Sequence, residues 1–314
     1  MFPHRGVRRS DVLVRSGIGL DCAVLDPAGD VVVLSSDPIT GAGANAGWLA
    51  IHIGCNDVAT TGAQPVGVLL TLLLAQMKPI DDARAIMADA HRAAETLGVE
   101  IVGGHTEITP GLSTSIVVVT AIGRAARTGY LTPAGARPGD VVLLTKAAGL
   151  EGTAILATDR ESFLRGRVAD HVIARAREFG NEISVVPEAL AAARAGASAL
   201  HDATEGGVLG ALAELGIAAG YGVEVDAELI PVRPETRAIC RAFDIDPIAL
   251  VSSGCLLVAT PRPREVAMAI GETGRQVTRI GRVHDGPSRV LRQGKTYPLV
   301  APERDALWDA LARA

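Results

Sequence analysis

The feature that most limits what this chain can fold into is its longest apolar run, Val66–Ala75. At ten residues it is about half of the ~20 that a helix needs to cross a bilayer, so it has to be buried in protein. Its length and composition predict a buried strand over Val66–Leu74. The segment before it, Ala46–Thr61, places Trp48, Ile51, Cys55 and Val58 at spacings of three and four, with Gly62 behind them, and predicts a helix. Asn56 and Asp57 sit inside that otherwise apolar helix. A charge in such a place requires a partner, whether a metal, a base or an arginine.

Other elements follow from the same periodicities. Cys22–Leu25 and Val31–Leu34 flank the turn Pro27-Ala-Gly-Asp30 and predict a hairpin whose second strand ends at Ser35-Ser36-Asp37-Pro38. A capped helix is expected from Asp81 to Leu97, and strands at Glu100–Val102 and Ser115–Ile122. Thr132–Gly139 is the most loop-like stretch of the middle of the chain, which places a domain boundary there: residues 1–135 and 136–314. The second half alternates Ala-rich helices (152–158, 168–179, 187–195, 207–219, 263–273) with strands (198–202, 222–226, 254–260, 276–283) and closes on a helix, 303–313. The class expected is α+β or α/β in two domains.

Composition removes several function classes. With 314 residues, a formal net charge of −5 and scattered basic residues, the chain offers no basic face to nucleic acid. Nine aromatic residues are too few for a base-stacking platform. No bilayer-length segment or apolar leader is visible, so a soluble, cytoplasmic protein is expected. Cys22, Cys55, Cys240 and Cys255 lie in apolar contexts without metal-ligand spacing and read as buried thiols. Lys146 lacks the glycine spacing of a phosphate-binding Walker loop, and neither G-x-G-x-x-G after a strand nor G-x-S-x-G occurs.

Chemistry is carried by acids beside glycines: Asp21, Asp37, Asp57, Glu107 in Gly103-Gly-His-Thr-Glu107, and Asp202 and Glu205 in His201-Asp-Ala-Thr-Glu-Gly-Gly207. Carboxylates on apolar elements suit Mg²⁺ bridging to phosphates, and bare glycine backbone at a helix start, as at Gly149–Gly152 or Gly206-Gly207, suits phosphate oxygens. Simpler readings exist. Asp21 and Asp37 also fit ordinary turns; His52, His105 and His201 also fit core or loop histidines; and Asp202 or Thr204 also fits a helix cap, with Glu205 complementing the dipole.

In order along the chain, six motifs resemble the ATP-binding superfamily of aminoimidazole ribonucleotide (AIR) synthase, with its PurM-like fold. They are Gly19-Leu-Asp-Cys-Ala-Val-Leu25, Ser36-Asp-Pro-Ile-Thr40, Cys55-Asn-Asp-Val-Ala-Thr-Thr-Gly-Ala-Gln-Pro65, Val102-Gly-Gly-His-Thr-Glu107, the His201–Gly207 segment and Ser252-Ser-Gly-Cys-Leu-Leu257. The pattern is most similar to the HypE-like, AIR synthase-related branch. The resemblance implies an N-terminal ATP-binding domain that forms a dimeric barrel with a second copy, ATP in the cleft between subunits, and a C-terminal α/β domain closing over the phosphates. It places Mg²⁺ on Asp21, Asp37 and Asp57, and the nucleotide on Asp37, Asn56, Asp57, Gly103, Gly104, Thr106, Glu107, Gly206 and Gly207. His201, Asp202, Glu205 and His105 take the catalytic roles; His105 stands where relatives carry an aspartate, so either His105 or Glu107 takes over or the number of metal ions differs. The chain closes on Leu311-Ala-Arg-Ala314, where HypE presents a cysteine, so self-carbamoylation at that terminus is not expected.

The implied activity is ATP-dependent phosphorylation or dehydration of a carbonyl, amide or phosphate oxygen of a small molecule or a partner protein's chain end. Alternatives are a thiamine-monophosphate-kinase-like phosphotransferase, an ATP-binding dimeric maturation or regulatory scaffold without turnover, and a metal-dependent phosphohydrolase using the same carboxylates.

Overall fold

A computed structural model of the chain describes residues 12–14, 19, 23–26, 29–40, 45–77 and 79–313, which divide into two compact units, Met1–Tyr130 and Leu131–Ala314. Among the described residues, no helix is long and apolar enough to cross a membrane.

The first unit holds strands β1 (Val12–Val14), β2 (Ala23–Leu25), β3 (Val31–Ile39), β4 (Gln64–Leu74), β5 (Glu100–Ile108) and β6 (Ile116–Ala125), with helices α1 (Ala46–Thr60) and α2 (Pro79–Leu97). One sheet contains them in the order β1-β2-β3-β6-β4-β5. Only β4 and β5 are parallel, and α2 is the crossover that such a pair requires. Helix α1 packs on β3, β6 and α2, and is buried nearly all round. The stripe expected from its sequence is therefore too narrow: His52, Asn56 and Asp57 are buried too.

Two strands outrun their expected ends. β3 continues through Ser35–Pro38, with Asp37 opposite Val119 on β6. Its pairing with β2 stops at Leu34, so Pro38 breaks no ladder bond on that side. β5 runs through Gly103 and Gly104, which are strand residues and not a turn. Glycine is required at Gly104: its φ is 147°, and a Cβ there would lie 1.8 Å from the Leu70 carbonyl oxygen.

The second unit holds β7 (Val141–Thr145), β8 (Ala199–Asp202), β9 (Gly222–Asp226), β10 (Leu256–Thr260), β11 (Val277–His284), β12 (Arg289–Arg292) and β13 (Lys295–Pro298). Its helices are α3 (Leu150–Asp159), α4 (Glu161–Leu164), α5 (Asp170–Arg177), α6 (Val186–Ala195), α7 (Gly207–Ala219), α8 (Pro234–Phe243), α9 (Pro263–Glu272) and α10 (Ala306–Arg313). The sheet order is β13-β12-β9-β11-β7-β10-β8, and β9–β12 is its one parallel pair of neighbours. β10 runs antiparallel to both β7 and β8, and β11 to both β7 and β9. The C-terminal ends of β7, β8 and β9 therefore share one edge. One aliphatic core, including Leu144, Leu212, Leu257 and Ile280, lies beneath α7; another joins Leu156, Ile239, Phe243 and Leu307 of α3, α8 and α10. Both units are thus α+β.

Candidate functional site

In the first unit the site begins on β3. Ser35 and Asp37 are two apart on the strand and project to one face, over which α1 lays Asp57. Ser35 Oγ is 2.5 Å from Asp57 Oδ2 and 3.0 Å from Asp37 Oδ2. One hydroxyl proton thus serves two carboxylates. Ser35 and Asp57 are each only 5% exposed, and Asn56 is fully buried. The Cys55 thiol beside them is pushed up to about 12, by burial first and by the Asp57 carboxylate second. It is no nucleophile at neutral pH. Asp21, the third acid of the expected metal set, lies outside the described residues; among those described, no three acidic, histidine or cysteine side chains form a ready-made metal cluster.

Gly103, Gly104, His105, Thr106 and Glu107 all lie on β5, the far edge strand. β6 and β4 stand between it and β3, a separation of about 14 Å at the usual strand spacing. Within one chain, then, these residues do not join Asp37 and Asp57. His105 Nε2 is 3.5 Å from Glu107 Oε2, in an exposed pair. Thr106 and Glu107 line a cleft of about 340 Å³ with Arg84 and Ile80 of α2.

The second unit gathers the other candidates at the end of β8. His201 and Asp202 are buried on the strand, and His201 Nε2 is 2.9 Å from Glu214 Oε2 on α7. Glu205 is exposed. Helix α7 begins at Gly207 with Gly206 as its cap residue, in the left-handed conformation, and no side chain caps it. The capping alternative for Asp202 or Thr204 therefore does not hold. Gly207, at φ 62°, has no room for a Cβ, which would lie 2.6 Å from the Ile248 carbonyl oxygen.

Two acids that the sequence reading passed over meet this loop. The Asp305 carboxylate accepts the N–H groups of Gly206 (2.6 Å), Val251 (3.1 Å) and Leu307 (2.7 Å). Its pKa is nevertheless raised, by burial, against those three bonds. Glu151, at the start of α3, is pushed up to about 7 by burial, opposed by its hydrogen bond with Ser253 and reinforced by Asp305 and Glu205. A near-neutral buried carboxyl of this kind can hold or release a proton at physiological pH. The available signal for Glu151 is an acid enclosed by Gly149-Leu and Gly152, a segment whose sequence points to a glycine-opened helix start suited to phosphate oxygens. Asp305 gave no comparable signal.

Two mixed sheets, one with an acidic pair beneath its helix and one with a glycine-opened helix beside buried acids, define a two-domain protein with the PurM-like fold. The chain belongs to the AIR synthase related protein family: residues 19–125 match its N-terminal domain and residues 137–293 its C-terminal domain. Carbamoyl dehydratase HypE of Cupriavidus necator is 30% identical over 268 residues, 82% of this chain and 74% of the relative. The HypE of Escherichia coli is 29% identical over 257 residues, 77% and 72% of the two chains. Among solved structures, Escherichia coli HypE superimposes with a TM-score of 0.77 at 24% identity over 96% of this chain and 95% of that one. HypE in complex with ATP gives 0.71 at 22% over 98% and 90%, and AaThiL complexed with AMPPCP and TMP gives 0.74 at 22% over 92% of each.

Proposed function

We propose that the chain is a Mg-ATP-dependent enzyme that phosphorylates an oxygen of a carbonyl, amide or phosphate group, or expels that oxygen in a dehydration. The observation that carries this reading is the Ser35–Asp37–Asp57 cluster, two carboxylates around one hydroxyl in a largely apolar helix–sheet layer. Their oxygens are the donor chemistry that Mg²⁺ takes. Such an ion would neutralise phosphate charge as the phosphoryl group transfers. HypE and ThiL structures carrying ATP or AMPPCP support a nucleotide for the N-terminal domain, residues 1–135. The carbamoyl dehydratase relatives support an amide-type oxygen as the acceptor, since removing such an oxygen is eased by phosphorylating it.

The chain's own residues divide the work. Asp37 and Asp57, with Asp21, orient the phosphates; Asn56 positions neighbouring groups. In the C-terminal domain, residues 136–314, the Asp202–Gly207 loop receives the second substrate; the Gly206 N–H is taken by Asp305 and that of Gly207 by the Thr204 carbonyl, so what the two glycines offer is bare backbone for close approach. Buried His201, held by Glu214, and Asp202 supply the groups that hold or move a proton at the acceptor, and Glu205 lies beside them. The β5 residues Gly103, Gly104, His105, Thr106 and Glu107 belong to the nucleotide site only through a second copy, whose β5 edge supplies what one chain keeps apart. The HypE–HypF complex supports a protein as a further partner.

The test is acceptor-dependent release of ADP or phosphate from MgATP, surveyed over carboxamides and phosphate monoesters. Asp202→Asn is expected to abolish that release while ATP affinity stays within about 0.5 kcal/mol, the usual range for a change outside the binding contacts. Full turnover in the variant contradicts the assignment of the loop. Phosphate release that needs no acceptor identifies a phosphohydrolase instead.

A further inference from the structure

At the edge of the second sheet where β7 and β9 end, the 229–232 segment and the 274–276 turn enclose a cleft of about 580 Å³. That is the size of a small-molecule site. Its charged lining is Lys146, Arg233, Arg237 and Arg275 against Glu182 and Glu228. Two of the cations are already matched. Lys146 Nζ lies 2.7 Å from the fully buried Glu188 and donates to the carbonyl oxygens of Glu182 (3.0 Å) and Ser184 (2.6 Å). Arg233 forms a bidentate pair with Glu182 at 2.7 and 2.6 Å, and its guanidinium stacks 4.5 Å from the centre of the Phe179 ring.

Arg237 and Arg275 are different. Neither guanidinium has a hydrogen bond or an ion pair within 4.0 Å among the described residues; Arg275 acts on Glu182 only at longer range, behind Arg233, and its Nε is closed off from solvent without an acceptor. Glu228, the remaining acid, has one oxygen committed to the Gln293 N–H at 3.0 Å. With the two matched pairs neutral, Arg237 and Arg275 against Glu228 leave the cleft one positive charge in excess. A guanidinium N–H withdrawn from water without an acceptor is an unfavourable state that an anionic oxygen relieves, and guanidinium forks match phosphate geometry. The rest of the wall is apolar: Leu229, Pro231 and Val232.

We propose that this cleft binds a phosphate monoester, its dianionic head on Arg237 and Arg275 and its organic body against the Leu229–Val232 wall. The site is independent of the nucleotide reading, because none of its residues belongs to the acidic pair or to the loop before α7. The experiment titrates the full chain with phenyl phosphate, benzoate and inorganic phosphate, following ligand NMR line widths and calorimetric heat. Phenyl phosphate is expected to saturate and to bind more tightly than either of the others. Arg237→Ala and Arg275→Ala are each expected to weaken it by about tenfold or more, the scale of one charge-assisted contact. Their thermal unfolding midpoints should match the unaltered chain, since neither guanidinium is bonded within the fold, and Arg275→Lys should fall between. The proposal is overturned by absence of saturable binding, by benzoate binding as tightly as phenyl phosphate, or by affinity that survives in the Arg237→Ala/Arg275→Ala double variant.

Discussion

Glu151 has its carboxyl wholly inside the second unit, and burial moves its pKa from 4.5 up to about 7. Because the folded value lies above the unfolded one, the native state holds a proton that the unfolded chain has released between those two pH values. The stability carried by this group is complete below the unfolded value and is lost as pH rises through the folded one. A shift of this size corresponds to about 3 kcal/mol. Glu151→Gln, which keeps the shape without the charge, is therefore expected to match the unaltered chain near pH 4.5 and to exceed it in unfolding temperature near pH 8. Thermal scans at the two values check this, and an equal difference at both would refute it. The thiols point the other way. Cys55, Cys240 and Cys255 are all buried and each is raised to about 12, which removes thiolate chemistry from the described part of the chain.

Among the elements of the first unit, β5 has conspicuously incomplete surroundings. It is an edge strand, exposed over almost its whole length, with Val102 53% and Ile108 54% exposed. Val66 and Leu69 on its neighbour β4 are 48% and 38% exposed. Exposed apolar side chains beside an unpaired strand edge mark an association surface. A homodimer is the expected outcome: sedimentation equilibrium should give twice the 32.4 kDa of one chain at micromolar concentration. A 32.4 kDa species there would refute the dimer. Elements were legible in the sequence where periodicity was strong. The helix read over 207–219 and the strand over 222–226 occupy those positions, and α1 differs from its reading by one residue. Illegible elements had physical reasons. β5 was cut short at Gly103-Gly104 because glycine usually breaks strands, whereas here it admits the close approach of Leu70. Asp37-Pro38 read as a strand end because its freedom from a ladder bond depends on where β2 stops. Helix α8, with three arginine or acidic residues among its ten, and the short, basic β12–β13 hairpin offered no apolar run to detect.

The whole molecule is two mixed sheets, each with its own aliphatic core, joined in the order that the AIR synthase related family prescribes. The acidic pair was legible before the fold because a charge inside an apolar helix has to be answered; Ser35 as the hydroxyl between Asp37 and Asp57 was not, since it depends on α1 crossing β3. On the function proposed above, this pair holds a metal–nucleotide complex. Calorimetric titration of ATP, with and without Mg²⁺, into the unaltered chain and into Asp57→Asn tests it most directly. Mg-dependent binding is expected, weakened by the substitution by about 2 kcal/mol, the loss of one charge-assisted contact, with the fold retained. Affinity unchanged by the substitution, or binding in the unaltered chain that does not depend on Mg²⁺, would contradict it.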